Sequence, residues 1–230
     1  MDIQTAFLRP YQKTSQFFLG GLLQIVPILN WVNLGYTLRL SCSAKEKPEY
    51  RWGEDFKDGA YATIISFIYS LPALILLTIL LLKGLFFIFQ HTDLFTSLFA
   101  EGPAATEAWK TVLLALWAAL PWVIALIIVS VFVSLLIPAA ILFYCRKKRF
   151  SDAFALGAVL KTAFSGNYLL AALVVLLFSI AYGMALGIVN LIGKIQFIGW
   201  AVTMYANALV GFAMMLTSYY LFAQAIPKKP

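Results

Sequence analysis

The chain has 230 residues, of which 62% are hydrophobic and 12% are charged, and its mean hydropathy is +0.88. Soluble domains contain roughly 45–50% apolar and about 25% charged residues, so this composition excludes a soluble globular protein and predicts one helical membrane domain. The cations behind the net charge of +7 lie beside apolar runs, so we interpret them as topology signals and contacts to membrane lipids, not as a nucleic-acid-binding surface.

The first apolar stretch, residues 17–40, is interrupted near its middle by Pro27, Asn30 and Asn33. It is long enough to cross a membrane as one helix. A single crossing would separate the cations before it from the basic segment after it, whereas a hairpin would keep both on one side. We therefore expect a broken or re-entrant helical hairpin, with a single span as the alternative.

The most polar segment follows at residues 41–58, where lysines and arginine alternate with five acids. The orientation rule counts cations and gives acids little weight, so we predict a solvated cytoplasmic loop. Trp52 and Phe56 are four residues apart and would share one face of a short helix at the headgroup level.

Residues 59–82 predict the first clear transmembrane helix, and residues 83–120 are predicted to lie outside the membrane as a loop and an interfacial helix. Residues 91–107 contain acids but no Lys or Arg, which is typical of an external loop. The apolar run that follows is too long for one crossing of about 30 Å, so we expect Pro121 to divide it and residues 122–144 to cross back.

Four consecutive cations stop this span and mark a cytoplasmic membrane edge: Arg146, Lys147, Lys148 and Arg149. We predict that residues 145–166 are cytoplasmic. Ser151 and Asp152 offer an N-cap to an amphipathic helix within this segment.

Residues 168–192 and 197–223 predict two further spans, joined by a tight external turn at residues 193–196. The chain would then end inside with Lys228 and Lys229. This topology puts 14 of the 17 Lys and Arg residues on the cytoplasmic side. The predicted fold is an all-α polytopic bundle of four transmembrane helices with an N-terminal broken hairpin and interfacial helices, and both termini are cytoplasmic.

Catalytic and metal-binding motifs are absent from the sequence, which has no Gly-x-Ser-x-Gly elbow, phosphate-binding Gly-rich loop or His-Glu-x-x-His helix. Cys42 and Cys145 both lie near basic stretches on the predicted inner side, so we do not interpret them as a secreted disulfide framework. Together with the single His91 they are too few for a metal site. We predict no enzymatic activity and no cofactor.

The predicted span interiors contain no ionisable residue, which argues against ion-coupled transport. Gly183, Gly187 and Asn190 share one helix face and predict a helix-packing surface, either within this bundle or against another chain. The stretch from Pro27 to Asn33 is the candidate for irregular backbone that lines a cavity, and a simple bend is the alternative.

Several short motifs resemble a family of prokaryotic membrane proteins known as domain of unknown function 4013. The motifs are Ala6-Phe7, Pro10-Tyr11, Gly20-Gly21-Leu22-Leu23, Pro27-Ile28-Leu29-Asn30, Trp52-Gly53, Asp58-Gly59, Leu71-Pro72-Ala73, Ile137-Pro138-Ala139, Asp152-Ala153-Phe154, Asn167-Tyr168-Leu169 and Tyr219-Tyr220-Leu221. The resemblance covers most of the chain except residues 83–120. It implies a multi-pass protein of a prokaryotic cytoplasmic membrane and carries no established activity.

These observations leave three function classes. The first is a non-enzymatic accessory or scaffold subunit that packs with other membrane subunits or with itself. The second is a channel or facilitator for a neutral or lipid-like solute that uses the break at Pro27. The third is a lipid-modifying enzyme, which the missing catalytic motifs disfavour.

Overall fold

The computed structural model describes residues 1–43, 47–99, 102–192 and 199–226, and within these residues the chain forms helices and no β-strand. The predicted all-α class is therefore confirmed. The α-helices are, in chain order, α1 (Ile3–Leu8), α2 (Thr14–Ile25), α3 (Asn30–Cys42), α4 (Trp52–Gln90), α5 (Leu94–Leu98), α6 (Pro103–Lys147), α7 (Leu156–Ala163), α8 (Gly166–Ile192) and α9 (Gly199–Ala225).

Four of these helices, α4, α6, α8 and α9, are long and apolar enough to cross a membrane. Two of them differ from the sequence-based expectation. α4 begins at Trp52 and so includes acids that the sequence pattern assigns to a loop. α6 passes through Pro121 without interruption, so the two helices expected on either side of this proline are one helix, and the crossing by residues 122–144 stays a prediction. A proline removes one backbone hydrogen bond, and long apolar helices tolerate that loss when both flanking segments continue the helix.

Local chemistry explains several helix ends. Val26 precedes Pro27, and the proline ring forces the residue before it into an extended conformation (φ −99°, ψ 116°), so α2 ends at Ile25. The predicted break is thus present, with α3 starting at Asn30. α6 ends at Lys147 because the next residue, Lys148, adopts a left-handed conformation with φ +54°.

The segment after α6 also differs from the prediction. Residues Phe150–Phe154 form a 3-10 helix, and α7 begins only after Ala155, whose side chain offers no capping bond. Asp152 accepts a bond from Lys147 at 3.2 Å instead of capping a helix. The predicted turn at residues 193–196 and the terminal Lys228 and Lys229 lie outside the described residues.

The chain divides into two compact units. The first, which we call the packed unit, comprises Met1–Ser66 and Leu135–Pro230. Its central helix is α9, against which α1, α2, α3 and α8 pack. The core cluster joins α3 to α9 through Tyr36, Leu40, Phe212 and Leu216.

The second unit, which we call the hairpin unit, comprises Phe67–Ser134 and contains the C-terminal part of α4, α5 and about the first two thirds of α6. Most of its large apolar side chains are exposed, as helix surfaces in contact with lipid are expected to be. The Lys83 ammonium lies 4.5 Å above the ring of Trp122, so α4 and α6 are neighbours at this level.

Candidate functional site

A buried ion pair joins α3 to the first turn of α4. Arg39 Nε donates to Asp55 Oδ1 at 2.8 Å and Arg39 Nη2 donates to Asp55 Oδ2 at 3.1 Å, a bidentate arrangement. The backbone N–H of Arg51 donates a third bond to Asp55 at 2.7 Å. The Asp55 side chain is 0% exposed and that of Arg39 is 7% exposed. Either charge alone would be strongly destabilising at this depth.

Two glycines allow α3 and α4 to approach closely enough to make this pair. A Cβ atom on Gly35 would lie 1.7 Å from the backbone oxygen of Asp55. A Cβ atom on Gly59 would lie 1.8 Å from the backbone oxygen of Trp31. Backbone atoms cannot move aside as a flexible side chain can, so only glycine fits at these two positions.

A second buried acid connects the start of α4 to the end of α6. Tyr144 donates its hydroxyl hydrogen to Asp58 Oδ1 at 2.8 Å, and Lys148 forms a salt bridge with the other carboxylate oxygen. We call the five residues Arg39, Asp55, Asp58, Tyr144 and Lys148 the polar hub. They connect α3, α4 and α6 within the packed unit.

A cavity of about 350 Å³ borders the polar hub. Its lining mixes two acids, two lysines and three aromatic rings: Glu54, Lys57, Asp58, Tyr61, Tyr144, Lys148 and Phe150. Such a lining can both donate and accept hydrogen bonds. Asp58 accepts from both Tyr144 and Lys148, so it connects the start of α4 to the end of α6.

The four consecutive cations have different surroundings. Arg146 donates to the backbone oxygens of Ala223 and Ile226 at 2.9 and 3.1 Å, where the last carbonyls of α9 lack helical partners. Lys147 pairs with Asp152, and Lys148 belongs to the polar hub. Arg149 is exposed. The predicted role of these cations in topology and lipid contact stays a prediction, and for Arg146 and Lys148 a structural role is added.

The two cysteines form a disulfide, although their positions near basic stretches did not indicate a secreted disulfide framework. Cys42 at the end of α3 and Cys145 near the end of α6 are disulfide-bonded, with their Cα atoms 6.4 Å apart. They are 103 residues apart in sequence, so only the packing of α3 against α6 brings them together. The bond is a further connection between the helices that carry the polar hub.

The break between α2 and α3 is closed by a hydrogen-bonded asparagine. The Asn33 amide nitrogen donates to Gly20 O at 2.8 Å and to Gln24 Oε1 at 3.3 Å, and its oxygen accepts from the Tyr50 hydroxyl at 2.7 Å. Asn33 is 0% exposed. Among the described residues, the side-chain oxygen of Asn30 has no hydrogen-bond partner. The predicted cavity at this break stays a prediction.

Two neighbouring residues in the segment between α3 and α4, Glu49 and Tyr50, have perturbed pKa values. Burial raises the pKa of Tyr50 well above its usual range, so the hydroxyl stays protonated and continues to donate to Asn33. The hydrogen bond from Lys13, at 3.0 Å, and the charge of Lys13 lower the pKa of Glu49. Both perturbations favour the protonation states that the observed hydrogen bonds require.

The predicted helix-packing face on α8 lies on its outer side. A Cβ atom on Gly183 or Gly187 would meet no atom within 4 Å, so neither glycine contacts another described helix. Asn190 does contact α9, because the Asn207 amide donates to Asn190 Oδ1 at 3.2 Å. Packing of the two glycines within the bundle is therefore not found among the described residues, and a packing partner outside the chain remains as the prediction.

The burial of the two hub acids is not predicted from the sequence, because residues 41–58 have the composition of a solvated loop. A signal is nevertheless present in the sequence. The buried positions of α4 recur at helical spacing: Asp55, Asp58, Ala62, Ile65 and Tyr69. Extending the helix backwards from the apolar stripe would have placed both acids on its buried face.

The helices and the hub define the class of this protein: a polytopic α-helical membrane protein whose helices are tied at one end by buried polar contacts. The family model described as protein of unknown function, DUF4013, matches residues 19–191, and the chain belongs to this family. The match includes residues 83–120, to which the resemblance did not extend, and excludes the motifs before residue 19 and after residue 191. No curated protein and no solved structure matches the chain.

Proposed function

We propose that this protein is a non-enzymatic accessory or scaffold subunit that packs against other membrane components through the outer face of α8. The observation that carries the proposal is the low burial of this helix. In its most apolar 18-residue stretch 6% of the residues are buried, whereas in the corresponding stretch of α9 28% of the residues are buried. Apart from the side that packs against α9, the surface of this helix is therefore largely available to lipid or to a partner helix.

The two glycines on that face supply a mechanism of recognition. Between membrane helices the hydrophobic effect gives no net attraction, so association depends on close van der Waals packing, which small residues permit. Gly183 and Gly187 are four residues apart and face open space. A partner helix can therefore approach the backbone of α8 without displacing any part of this chain.

The polar hub would serve this function by holding the remaining helices in a fixed arrangement at the basic end. On the positive-inside rule, we propose that this end faces the cytoplasm of a prokaryotic cell and that both termini lie there. The disulfide between Cys42 and Cys145 at this end is the observation against that orientation, because disulfides are rare in the cytoplasm. Replacing Arg149 by Cys in a chain without the native cysteines tests this orientation. A membrane-impermeant maleimide should label that variant only after the cells are opened, and labelling of intact cells would reverse the topology.

The facilitator alternative depends on the break between α2 and α3. The filled hydrogen-bonding capacity of Asn33 gives it less support than the α8 face gives the subunit function, and the unpartnered oxygen of Asn30 is its remaining argument. A solute-flux assay in liposomes tests it. A flux that Asn30→Leu abolishes would favour the facilitator over the subunit.

The first experiment is gentle solubilisation of native membranes, isolation of the tagged protein and identification by mass spectrometry of proteins retained in stoichiometric amount. We expect a defined complex with wild type and its loss in Gly183→Ile/Gly187→Ile. At both positions an added Cβ atom meets no other atom within 4 Å.

Gly157→Ile is the matched control, because Gly157 also faces open space but lies on α7. It should retain the complex. Recovery of the wild-type protein as an isolated monomer, or loss of the complex in the control as well, would contradict the proposal.

A further inference from the structure

An apolar groove runs between α4 and α6 in the hairpin unit. It has a volume of about 370 Å³, within the range of small-molecule sites. Small residues form much of its surface, so that the two helices leave a depression between larger side chains. Its lining residues are Leu80, Lys83, Gly84, Phe87, Val112, Ala115, Leu116, Ala118 and Ala119.

Lys83 is the charged member of this lining. Its ammonium rests over the Trp122 ring, and among the described residues no carboxylate forms a salt bridge with it. Lys110, on the same helix pair, is by contrast paired with Glu107 at 2.6 Å. The groove therefore combines apolar walls with one uncompensated positive charge.

If residues 122–144 cross the membrane as the sequence predicts, the groove lies beyond the hydrocarbon core, where bilayer lipid does not fill it. Trp122 and Tyr144 are separated by about 33 Å of helix at 1.5 Å per residue, which is close to the thickness of the hydrocarbon core, about 30 Å. Both residue types are enriched at the headgroup level. The groove residues of α6, from Val112 to Ala119, lie up to about 15 Å beyond Trp122 on the side away from the basic end.

We propose that this groove binds a long-chain fatty acid, with the carboxylate at Lys83 and the alkyl chain against the small residues. Lys83 is the cation that lines the groove, so the head group of the bound molecule should be an anion. One unpaired cation matches one negative charge, and a single groove of this volume matches a single chain. The ligand would also cover apolar surface that otherwise meets water or headgroups.

The test uses the full-length protein in a neutral detergent with two bromine-labelled probes, dibromostearate and the uncharged dibromostearyl alcohol. Bromine quenches tryptophan fluorescence on contact, and Trp117 and Trp122 lie next to the groove. We expect wild type to bind the carboxylate about tenfold more tightly than the alcohol, as one charge-assisted hydrogen bond would produce. Lys83→Gln should remove that difference and leave binding of the alcohol unchanged.

Two further variants make the result decisive. Lys110→Gln removes the same charge outside the groove and should keep the preference for the carboxylate. Gly84→Leu should weaken binding of both probes, because Gly84 lines the groove and a Cβ atom there meets no atom within 4 Å, so that a larger side chain can occupy the groove. Leucine is also the better helix former, so unfolding would not explain the loss. Equal binding of the two probes by wild type, an equal loss in Lys83→Gln and Lys110→Gln, or unchanged binding by Gly84→Leu would overturn the proposal.

Discussion

In the packed unit, Gly35 and Gly59 touch the backbone of the facing helix, whereas Gly84 in the hairpin unit faces open space. The charged residues differ in the same way. Arg39 and Asp55 form a buried pair, whereas Glu107 and Lys110 form a pair whose side chains are 71% and 60% exposed. The same residue types therefore hold helices together where they are buried and are available to solvent or ligands where they are exposed, as Gly183 and Gly187 of the packed unit also are.

This contrast separates residues that stabilise the fold from residues that are available for binding. A buried acid or a glycine in contact with backbone is fully used by the fold, so its loss should appear as lost stability. An exposed glycine or a cation without a salt-bridge partner does not stabilise the fold in this way, so its loss should appear as lost binding. Substitutions in the two units test that division, and the largest effect is expected where two backbones meet.

Gly35→Ala should prevent α3 from packing against α4, because the added Cβ would lie 1.7 Å from the backbone oxygen of Asp55. We expect a loss of about 3 kcal/mol or more, so that little folded protein survives purification. Yield and monodispersity on size-exclusion chromatography measure the effect. Gly84→Ala is the control and should be as stable as wild type or slightly more so, because alanine is the better helix former. A normal yield of Gly35→Ala would show that the helices are farther apart than the structure indicates.

Asp55→Ala should destabilise the protein by about 3–5 kcal/mol, because it leaves the Arg39 guanidinium buried without its counter-charge. Thermal unfolding in detergent, followed by circular dichroism, measures the effect. Replacing both partners, with Arg39→Met and Asp55→Leu, should recover much of the loss, because no charge then remains buried. Glu107→Gln, which breaks the exposed pair of the hairpin unit, should cost at most about 0.5 kcal/mol. Similar losses in Asp55→Ala and Glu107→Gln would contradict the contrast between the two units.

Arg146→Gln should cost about 1–2 kcal/mol, because the guanidinium donates to two carbonyls at the end of α9 that have no helical partner. The neighbouring Arg149 is exposed, so Arg149→Gln is the matched control with the same change of charge. The difference between the two melting temperatures is the measurement. Equal values would mean that Arg146 acts only through its charge and not as a cap for α9.

The sequence was sufficient for the all-α class and for four long apolar helices, because long apolar runs bounded by cations have few other structures available. It also located the break at Pro27, where proline directly constrains Val26. It failed at Pro121, where α6 continues. A proline in the sequence does not show whether the helix breaks at that residue or continues through it.

The polar hub was harder to predict for a different reason. Asp55 and Asp58 alternate with cations, a pattern that is typical of solvated loops, and their burial depends on α3 and α6 packing against them. The pairing of Cys42 with Cys145 depends on the same tertiary contact. Local composition does not contain that information. The helical spacing of the acids relative to Ala62 and Ile65 does contain part of it.

The smallest predicted effect concerns Lys13 and Glu49, an exposed pair inside the packed unit whose side chains are 38% and 63% exposed. The hydrogen bond from Lys13 lowers the pKa of Glu49 in the folded protein. A lowered folded-state pKa contributes stability above the unfolded-state pKa, and that contribution disappears as pH falls through the folded-state value. Wild type should therefore be slightly more stable than Glu49→Gln at neutral pH and equal to it in acid, and added salt should shrink the neutral difference.

Melting curves of the two proteins from neutral to acidic pH, at low and high salt, measure the difference. Asp55→Asn is the comparison, because the buried pair is shielded from salt and its loss should persist at high ionic strength. If Glu49→Gln were as destabilising as Asp55→Asn, membership of the packed unit would decide the strength of an ion pair. If instead the small loss in Glu49→Gln fades in acid and in high salt, burial decides the strength of an ion pair.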